Sequence, residues 1–154
     1  MSYQKNKVME EITIRCRDLM VGDWCCDKHG FPMRVTNVGD DYAYATFEGN
    51  EGDPWEFDDK DDQPQPIEIT EDILKENKWE VRGYTLLPDE HYCVIYLDKY
   101  ILLWSPRVLS IWFDNESYNN GVIADIIVPC KYVHQLQKVL RLAGMTDMAN
   151  NFKV

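Results

Sequence analysis

The acidic segment, residues 48–62, constrains the fold most because it combines two opposed requirements. It contains eight carboxylates and one lysine, and so carries a net charge of −7 out of −11 for the whole chain. Carboxylates stay in water, whereas the large aromatic side chains of Trp55 and Phe57 favour burial. The segment is therefore expected to be a surface that the fold holds in place. Its carboxylates are Glu48, Glu51, Asp53, Glu56, Asp58, Asp59, Asp61 and Asp62.

The length and composition are those of a globular protein. With 154 residues, 45% of them hydrophobic, the chain can bury a conventional core. We expect one compact domain built from two lobes. The first is a small β lobe over residues 1–69 that contains the acidic segment, and the second is an α+β lobe over residues 70–154.

The charge and the cysteines restrict the classes of partner and the compartment. The 27 acidic residues against 16 basic ones argue against binding to nucleic acid or to anionic membranes, since both need clustered Lys and Arg. Residues 1–11 contain no secretory apolar run, and the apolar run at residues 100–104 is too short to cross a bilayer. Five cysteines without a CxxC pair predict reduced thiols. The sequence thus predicts a cytoplasmic protein.

Short alternating segments predict β-strands in the first half of the chain. Residues 31–38 and 42–47 alternate on either side of Gly39-Asp40-Asp41, a pattern that predicts a hairpin. Residues 23–26 and 54–57 are further candidate strands. Several short strands with intervening turns are typical of a small SH3-like β-barrel or a rolled sheet, and we expect one of these here.

The second half predicts a helix followed by an antiparallel meander. Thr70 is a suitable N-cap for a helix over residues 71–77. Consecutive strands with short turns between them pair antiparallel. Asn119-Asn120-Gly121 is a strong turn signal before the last of these strands. The predicted strands cover residues 79–87, 92–97, 100–104, 108–113 and 122–128.

The last part of the sequence shows helical periodicity. Apolar residues recur at helical spacing over residues 131–142, so we expect an amphipathic helix that packs on the sheet. Pro129 suits the first turn of that helix. A second short helix is expected from Asp147 towards Phe152, with Thr146 as its cap. The predicted fold class is α+β. In the longer helix, the expected buried residues are Leu136 and Leu140, and the expected exposed ones are Lys138 and Arg141.

Three segments together resemble a family of small uncharacterised proteins from gut Bacteroides-type bacteria and their mobile elements. They read RDLMVGDW at residues 17–24, PIEITEDILKEN at residues 66–77, and YVHQLQ to LRL at residues 132–142, followed by Gly144 and NFKV at the end. Together they cover roughly a quarter of the chain. The resemblance implies a cytoplasmic protein and no particular activity.

One departure from that family bears on metal chemistry. Family members often read HELQH in the third segment, which matches the zinc motif HExxH, whose two His bind zinc while the Glu activates water. Here residues 134–138 read HQLQK, so that Gln135 replaces the Glu and Lys138 replaces the second His. We therefore interpret this segment as an ordinary helix surface and expect no bound metal.

Other candidate catalytic or metal-binding residues have a simpler explanation as core or surface residues. His91 and Cys93 share a strand face and are a candidate nucleophile pair, although burial of a free cysteine is the commoner reason for such a residue. Cys25, Cys26 and His29 lack the usual metal-ligand spacing. The aspartates of the acidic segment do not fit the EF-hand spacing for calcium. We predict no catalytic residues and no cofactor.

The acidic segment supports the main functional hypothesis. We expect a non-enzymatic interaction protein that offers this surface to a basic protein partner, with Trp55 and Phe57 as aromatic anchors. The candidate partner-binding residues are Asp53, Trp55, Glu56, Phe57, Asp58, Asp59, Asp61 and Asp62. A solvated loop that only keeps the protein soluble is the simpler reading of the same residues. The alternative function is a small enzyme or ligand-binding protein with a cleft between its lobes, which would use His91, Cys93 or nearby tyrosines.

Overall fold

The chain folds into two compact units, Met1–Ile67 and Glu68–Val154, called below the N-terminal and the C-terminal unit. The structure is a computed structural model that describes residues 14–84, 86, 89–97, 99–113 and 126–154. Each unit contains one antiparallel sheet, of four strands in the first and five in the second, and the described helices accompany the sheets. The fold class is α+β, as the sequence predicts.

The N-terminal unit is a four-stranded sheet with the strands in chain order. A short 3-10 helix, Cys16–Asp18, precedes β1 (Trp24–Cys26), β2 (Pro32–Val38), β3 (Tyr42–Thr46) and β4 (Trp55–Asp58). The predicted hairpin is confirmed, because β2 and β3 pair antiparallel across the Gly39-Asp40-Asp41 turn. A β-bulge between Val35 and Asn37 shifts the register of that pair.

Alternation along the strands builds the core of this unit. Alternation along β3 and β4 points Ala43, Ala45 and Phe57 inwards, where they are buried, while Tyr42 and Tyr44 lie on the outer face. Trp55, the first residue of β4, is 47% exposed. The sheet is open within the described residues, because β1 and β4 do not pair with each other. The core also contains Ile14, Cys16, Leu19, Cys25, Met33 and Val35.

The C-terminal unit is built on an antiparallel meander. Its strands are β5 (Glu80–Gly83), β6 (His91–Tyr96), β7 (Tyr100–Ser105), β8 (Arg107–Phe113) and β9 (Ile126–Cys130), and they lie side by side in that order. The predicted meander is confirmed in this part of the chain. β5 is shorter than predicted, and the predicted turn at residues 119–121 and the start of the predicted strand at residues 122–128 lie outside the described residues.

The predicted position of Pro129 in a helix is wrong. It lies inside β9 opposite Val108, and not in the first turn of a helix. Proline has no backbone N–H to donate, and β9 is an edge strand of this sheet, where an unpaired position is tolerated.

The described residues of the C-terminal unit also form three α-helices. In α1 (Glu71–Glu76) the Thr70 hydroxyl accepts a hydrogen bond from the Ile73 N–H at 3.2 Å, which confirms the predicted cap. The next helix, α2 (Val133–Leu142), begins two residues later than predicted, because the Gln135 side-chain oxygen accepts the N–H groups of Lys131 and Tyr132. In α3 (Thr146–Asn150) the N-cap is Met145, so Thr146 is a helical residue and not the cap.

The burial of α2 follows its periodicity. Leu136 and Leu140 are fully buried and Lys138 is exposed, as predicted. Arg141 is only half-exposed, since its Nη2 donates to Asn150 Oδ1 at 3.2 Å. Apolar side chains of α2 and of β7–β9 line one cleft, which places this helix over the sheet.

Candidate functional site

The acidic segment is organised around β4. Phe57 points into the core of the N-terminal unit and is fully buried, so it anchors the strand and is not available to a partner. Trp55 is 47% exposed, and its Nε1 donates to Asp62 Oδ2 at 2.8 Å. Of the two predicted aromatic anchors, the structure leaves only Trp55 at the surface.

Several carboxylates of the segment hold the segment itself in shape. Asp58 Oδ1 accepts the backbone N–H groups of Lys60 at 2.8 Å and Asp61 at 2.6 Å, which closes the turn after β4. Asp59 Oδ1 accepts the N–H of Cys16 at 2.8 Å and so ties the loop to the 3-10 helix. Glu51 accepts the N–H of Gly49 at 2.8 Å. These acceptors make the acidic segment an ordered surface.

The hydrogen bonds are reflected in the acidity of the carboxylates. The N–H groups of Asp61 and Lys60 lower the pKa of Asp58 below its ordinary value, because they stabilise the charged form. The N–H of Gly49 lowers the pKa of Glu51 in the same way. Both carboxylates are therefore charged at neutral pH, and their negative charge is part of the local structure.

Three other carboxylates have no such structural task. Glu48, Asp53 and Asp61 are exposed, and the described part of the chain offers their side chains no hydrogen-bond or ion-pair partner. They add negative charge to a surface whose shape does not depend on them. Neutral substitutions at these three positions are therefore expected to change the charge of the surface without changing the fold.

The outer face of the sheet carries a second feature beside the acidic segment. Tyr42 and Tyr44 alternate with buried alanines along β3, and their ring centroids lie 5.8 Å apart with planes at 72°. The Tyr44 hydroxyl donates to Glu56 Oε1 at 3.1 Å. An open cleft of about 530 Å³ lies over this face. The residues that line this tyrosine cleft are Thr36, Asn37, Tyr42, Tyr44, Thr46, Glu51 and Pro54.

The cysteines do not form a reactive site. All five are free, and only Cys26 is not fully buried. Burial raises the pKa of Cys93 to about 11 and that of Cys130 to about 12. A thiol with such a pKa is protonated at neutral pH and is a poor nucleophile. The candidate pair of His91 and Cys93 therefore lacks an activated thiolate.

His91 has a different partner. Its Nδ1 lies 3.0 Å from Glu71 Oε1, at the edge of a cleft of about 560 Å³ within the C-terminal unit. A carboxylate on Nδ1 orients an imidazole, and Nε2 is the ring nitrogen that this contact does not use. Tyr84, Asp89, Glu90, Ser105 and Pro106 complete the lining. The sequence did not indicate this dyad, because Glu71 and His91 are 20 residues apart and belong to different elements.

Metal-binding geometry is not found in the described ranges. There, no group of three or more His, Cys, Asp or Glu side chains is arranged to hold a metal ion. The carboxylates of Asp58, Asp59 and Asp62 are directed to hydrogen-bond donors of the protein. His134, the first residue of the HQLQK segment, stacks on the Tyr132 ring with centroids 6.0 Å apart.

The segments that carry the family resemblance perform structural tasks. In residues 17–24, Leu19 is buried and the Asp23 carboxylate accepts the Met20 N–H at 2.9 Å. In residues 66–77, Asn77 exchanges two hydrogen bonds of 2.8 Å with the Lys153 backbone. In α2, the buried Gln137 donates from Nε2 to the Ala149 carbonyl at 3.0 Å. These segments explain how the chain folds and do not point to a site.

Comparisons of the chain with protein-family models, with curated proteins and with solved structures find no significant match. Within the described residues, none of the helices combines the length and the apolar character needed to span a bilayer.

Proposed function

We propose that this protein is a non-enzymatic interaction protein that binds a basic protein partner through its acidic segment. The observation that supports the proposal most is the division of roles among the carboxylates. Asp58, Asp59 and Asp62 hold the segment in one conformation. Glu48, Asp53 and Asp61 are exposed, have no side-chain partner among the residues that the structure describes, and add negative charge to the surface.

An ordered acidic surface has an energetic advantage in binding. Like charges within one loop lie closer than the Debye length of about 8 Å at physiological salt, so they repel one another. A cationic partner relieves that repulsion. Because the loop is already held by β4 and its hydrogen bonds, association does not carry the full entropy cost of ordering a flexible tail. The exposed half of Trp55 adds an aromatic contact at the centre of the charged surface.

A charge-removal variant tests the proposal. Glu48→Gln, Asp53→Asn and Asp61→Asn together remove three negative charges and no structural hydrogen bond of the described chain. Titration calorimetry with an end-blocked octa-arginine peptide at low and at physiological salt is the measurement. We expect the triple variant to weaken binding at least about tenfold at low salt, and the parent protein to lose affinity steeply as salt rises.

The matched control removes the same charge from the other unit. Asp72→Asn, Glu76→Gln and Asp147→Asn change exposed residues of α1 and α3. This control is expected to bind the peptide nearly as tightly as the parent. Equal loss in both triple variants would mean that only net charge matters, and the acidic segment would then be a solubilising surface.

A second candidate function, a small enzyme or ligand-binding protein, is favoured by the Glu71–His91 dyad in its cleft. Three carboxylates at this cleft, those of Glu71, Asp89 and Glu90, favour a cationic small molecule. A set of small primary amines, followed through the His91 ring signals by NMR, tests this function. Saturable shifts of His91 that disappear in Glu71→Gln would support it, and unchanged signals would rule against it.

Three further proposals concern the shape of the N-terminal sheet, the cellular location and the family of the protein. An SH3-like rolling of the N-terminal sheet is supported by Cys26 and Gln65, whose backbones exchange two hydrogen bonds of 2.9 Å and so link the chain after β4 to β1. A cytoplasmic location is supported by the five free thiols. Kinship with the Bacteroides-type family is supported by the three segments of residues 17–24, 66–77 and 132–142.

A further inference from the structure

We propose that the tyrosine cleft on the outer face of the N-terminal sheet is the place where the basic partner inserts an arginine side chain. The inference rests on the proposed function and adds to it the chemistry of one contact. The occupant is the guanidinium group of an arginine in an exposed basic segment of the partner.

The position of the tyrosines supports an aromatic contact with a cation. Tyr42 is the first residue of β3, an inner strand of the sheet, and is 41% exposed; the Tyr44 ring meets it edge to face. Two rings with planes at 72° form two walls of a corner. The face of an aromatic ring carries partial negative charge, so a cation placed over it is attracted.

The carboxylates around the two tyrosine rings favour a positively charged ligand in the cleft. Glu51 lines the cleft, Glu56 lies directly opposite Tyr44 on β4, and Asp58 lies directly opposite Tyr42. Glu56 Oε1 accepts the Tyr44 hydroxyl, so the second oxygen, Oε2, is left to accept from a ligand. An anionic ligand would be repelled here, whereas a guanidinium gains both ring contact and charge-assisted hydrogen bonds.

The same sheet face already accommodates one guanidinium. Arg34 Cζ lies 4.6 Å from the centroid of the Trp24 ring, and Arg34 stands directly opposite both Trp24 and Thr46 in the ladder. Thr46 also lines the tyrosine cleft, so Arg34 and the cleft share the outer face. The planar, weakly hydrated guanidinium stacks on aromatic rings more readily than the ammonium of lysine.

Two variants at Tyr42 distinguish the contribution of its aromatic ring to peptide binding from that of the carboxylates. Tyr42→Phe keeps the ring, whereas Tyr42→Leu removes it, and neither changes a carboxylate. We expect the octa-arginine peptide to bind Tyr42→Phe as it binds the parent, and to bind Tyr42→Leu about two- to fivefold more weakly. In the parent protein, the ring signals of Tyr42 and Tyr44 should shift on titration, while those of Tyr132 in the C-terminal unit should not.

Gly39 offers an independent variant outside the cleft. A Cβ at position 39 would overlap the Tyr42 ring, so Gly39→Ala must displace that ring although it substitutes none of the lining residues. Weakened peptide binding by Gly39→Ala, without loss of thermal stability beyond that of Tyr42→Leu, is the expected result.

The outcomes distinguish this inference from the proposed function. If the triple variant of Glu48, Asp53 and Asp61 loses binding but Tyr42→Leu binds as tightly as Tyr42→Phe, the acidic segment binds the partner and the tyrosine cleft does not. If the parent protein does not bind octa-arginine at low salt, both proposals fail. A ring-dependent loss in Tyr42→Leu, together with the loss in the triple variant, supports both.

Discussion

At the scale of single residues, polar side chains fix structure where the backbone leaves hydrogen bonds unmade. Asp58 closes the turn after β4, Asp59 ties the loop to Cys16, and the buried Gln137 joins α2 to α3. The sequence indicated none of these roles. Asp59 and Cys16 are 43 positions apart, and periodicity alone does not identify the partner of a buried amide.

Gln137→Ala is expected to destabilise the C-terminal unit by about 1–3 kcal/mol. The substitution removes the 3.0 Å side-chain donor from the carbonyl of Ala149, a buried residue, and leaves that carbonyl the longer 3.4 Å hydrogen bond from the Phe152 N–H. Lys138→Ala, at the exposed neighbouring position, is the control and should cost less than about 0.5 kcal/mol. Urea unfolding of both variants makes the comparison, and equal midpoints would show that the Gln137 hydrogen bond does not stabilise the fold.

Asp58 is expected to make the N-terminal unit sensitive to acid. Its folded pKa lies below the ordinary value of 3.8, so its contribution to stability is present above the unfolded pKa and is lost as pH falls through the folded pKa. Asp58→Asn keeps an acceptor oxygen but has no proton to take up. Below about pH 4 the variant should therefore lose less stability per pH unit than the parent. Parallel curves of unfolding free energy against pH would contradict this.

At the scale of helices and strands, the sequence predicted correctly those elements that are specified by residues close together in the chain. The 3.6-residue periodicity of α2, the Thr70 cap of α1 and the Gly39-Asp40-Asp41 hairpin are all present in the structure. Pro129 misled the prediction, since a proline is equally compatible with an edge strand, and only the sheet order shows that β9 is one. The bulge at Val35 and Asn37 likewise depends on strand pairing.

Leu136→Ala should test the packing of α2. The side chain is fully buried, so we expect a loss of about 2–5 kcal/mol in the unfolding free energy. Leu142→Ala is the matched control, because Leu142 is an exposed leucine of the same helix. Thermal denaturation provides the comparison, and an unchanged melting temperature for Leu136→Ala would mean that α2 is rotated about its axis.

At the scale of the whole molecule, charge and aromatic side chains converge on one unit. The acidic segment carries −7 of the net charge of −11, and the tyrosine cleft lies on the outer face of the same sheet. The sequence predicted the segment and its acidic character. It placed Phe57 among the partner-binding residues, whereas Phe57 is buried. It did not predict which carboxylates hold the loop, or that Tyr42 and Tyr44 line a cleft, since both depend on the pairing of β3 with β4.

An NMR titration of the 154-residue chain with octa-arginine decides whether the acidic segment and the tyrosine cleft bind a basic partner. We expect the largest backbone amide shifts in residues 48–62 and in β3. We also expect the amides of Lys60 and Asp61, which donate to Asp58 in the free protein, to stay protected from hydrogen exchange throughout. Shifts spread over the exposed carboxylates of both units in proportion to local charge would show that the acidic segment is not a specific binding surface.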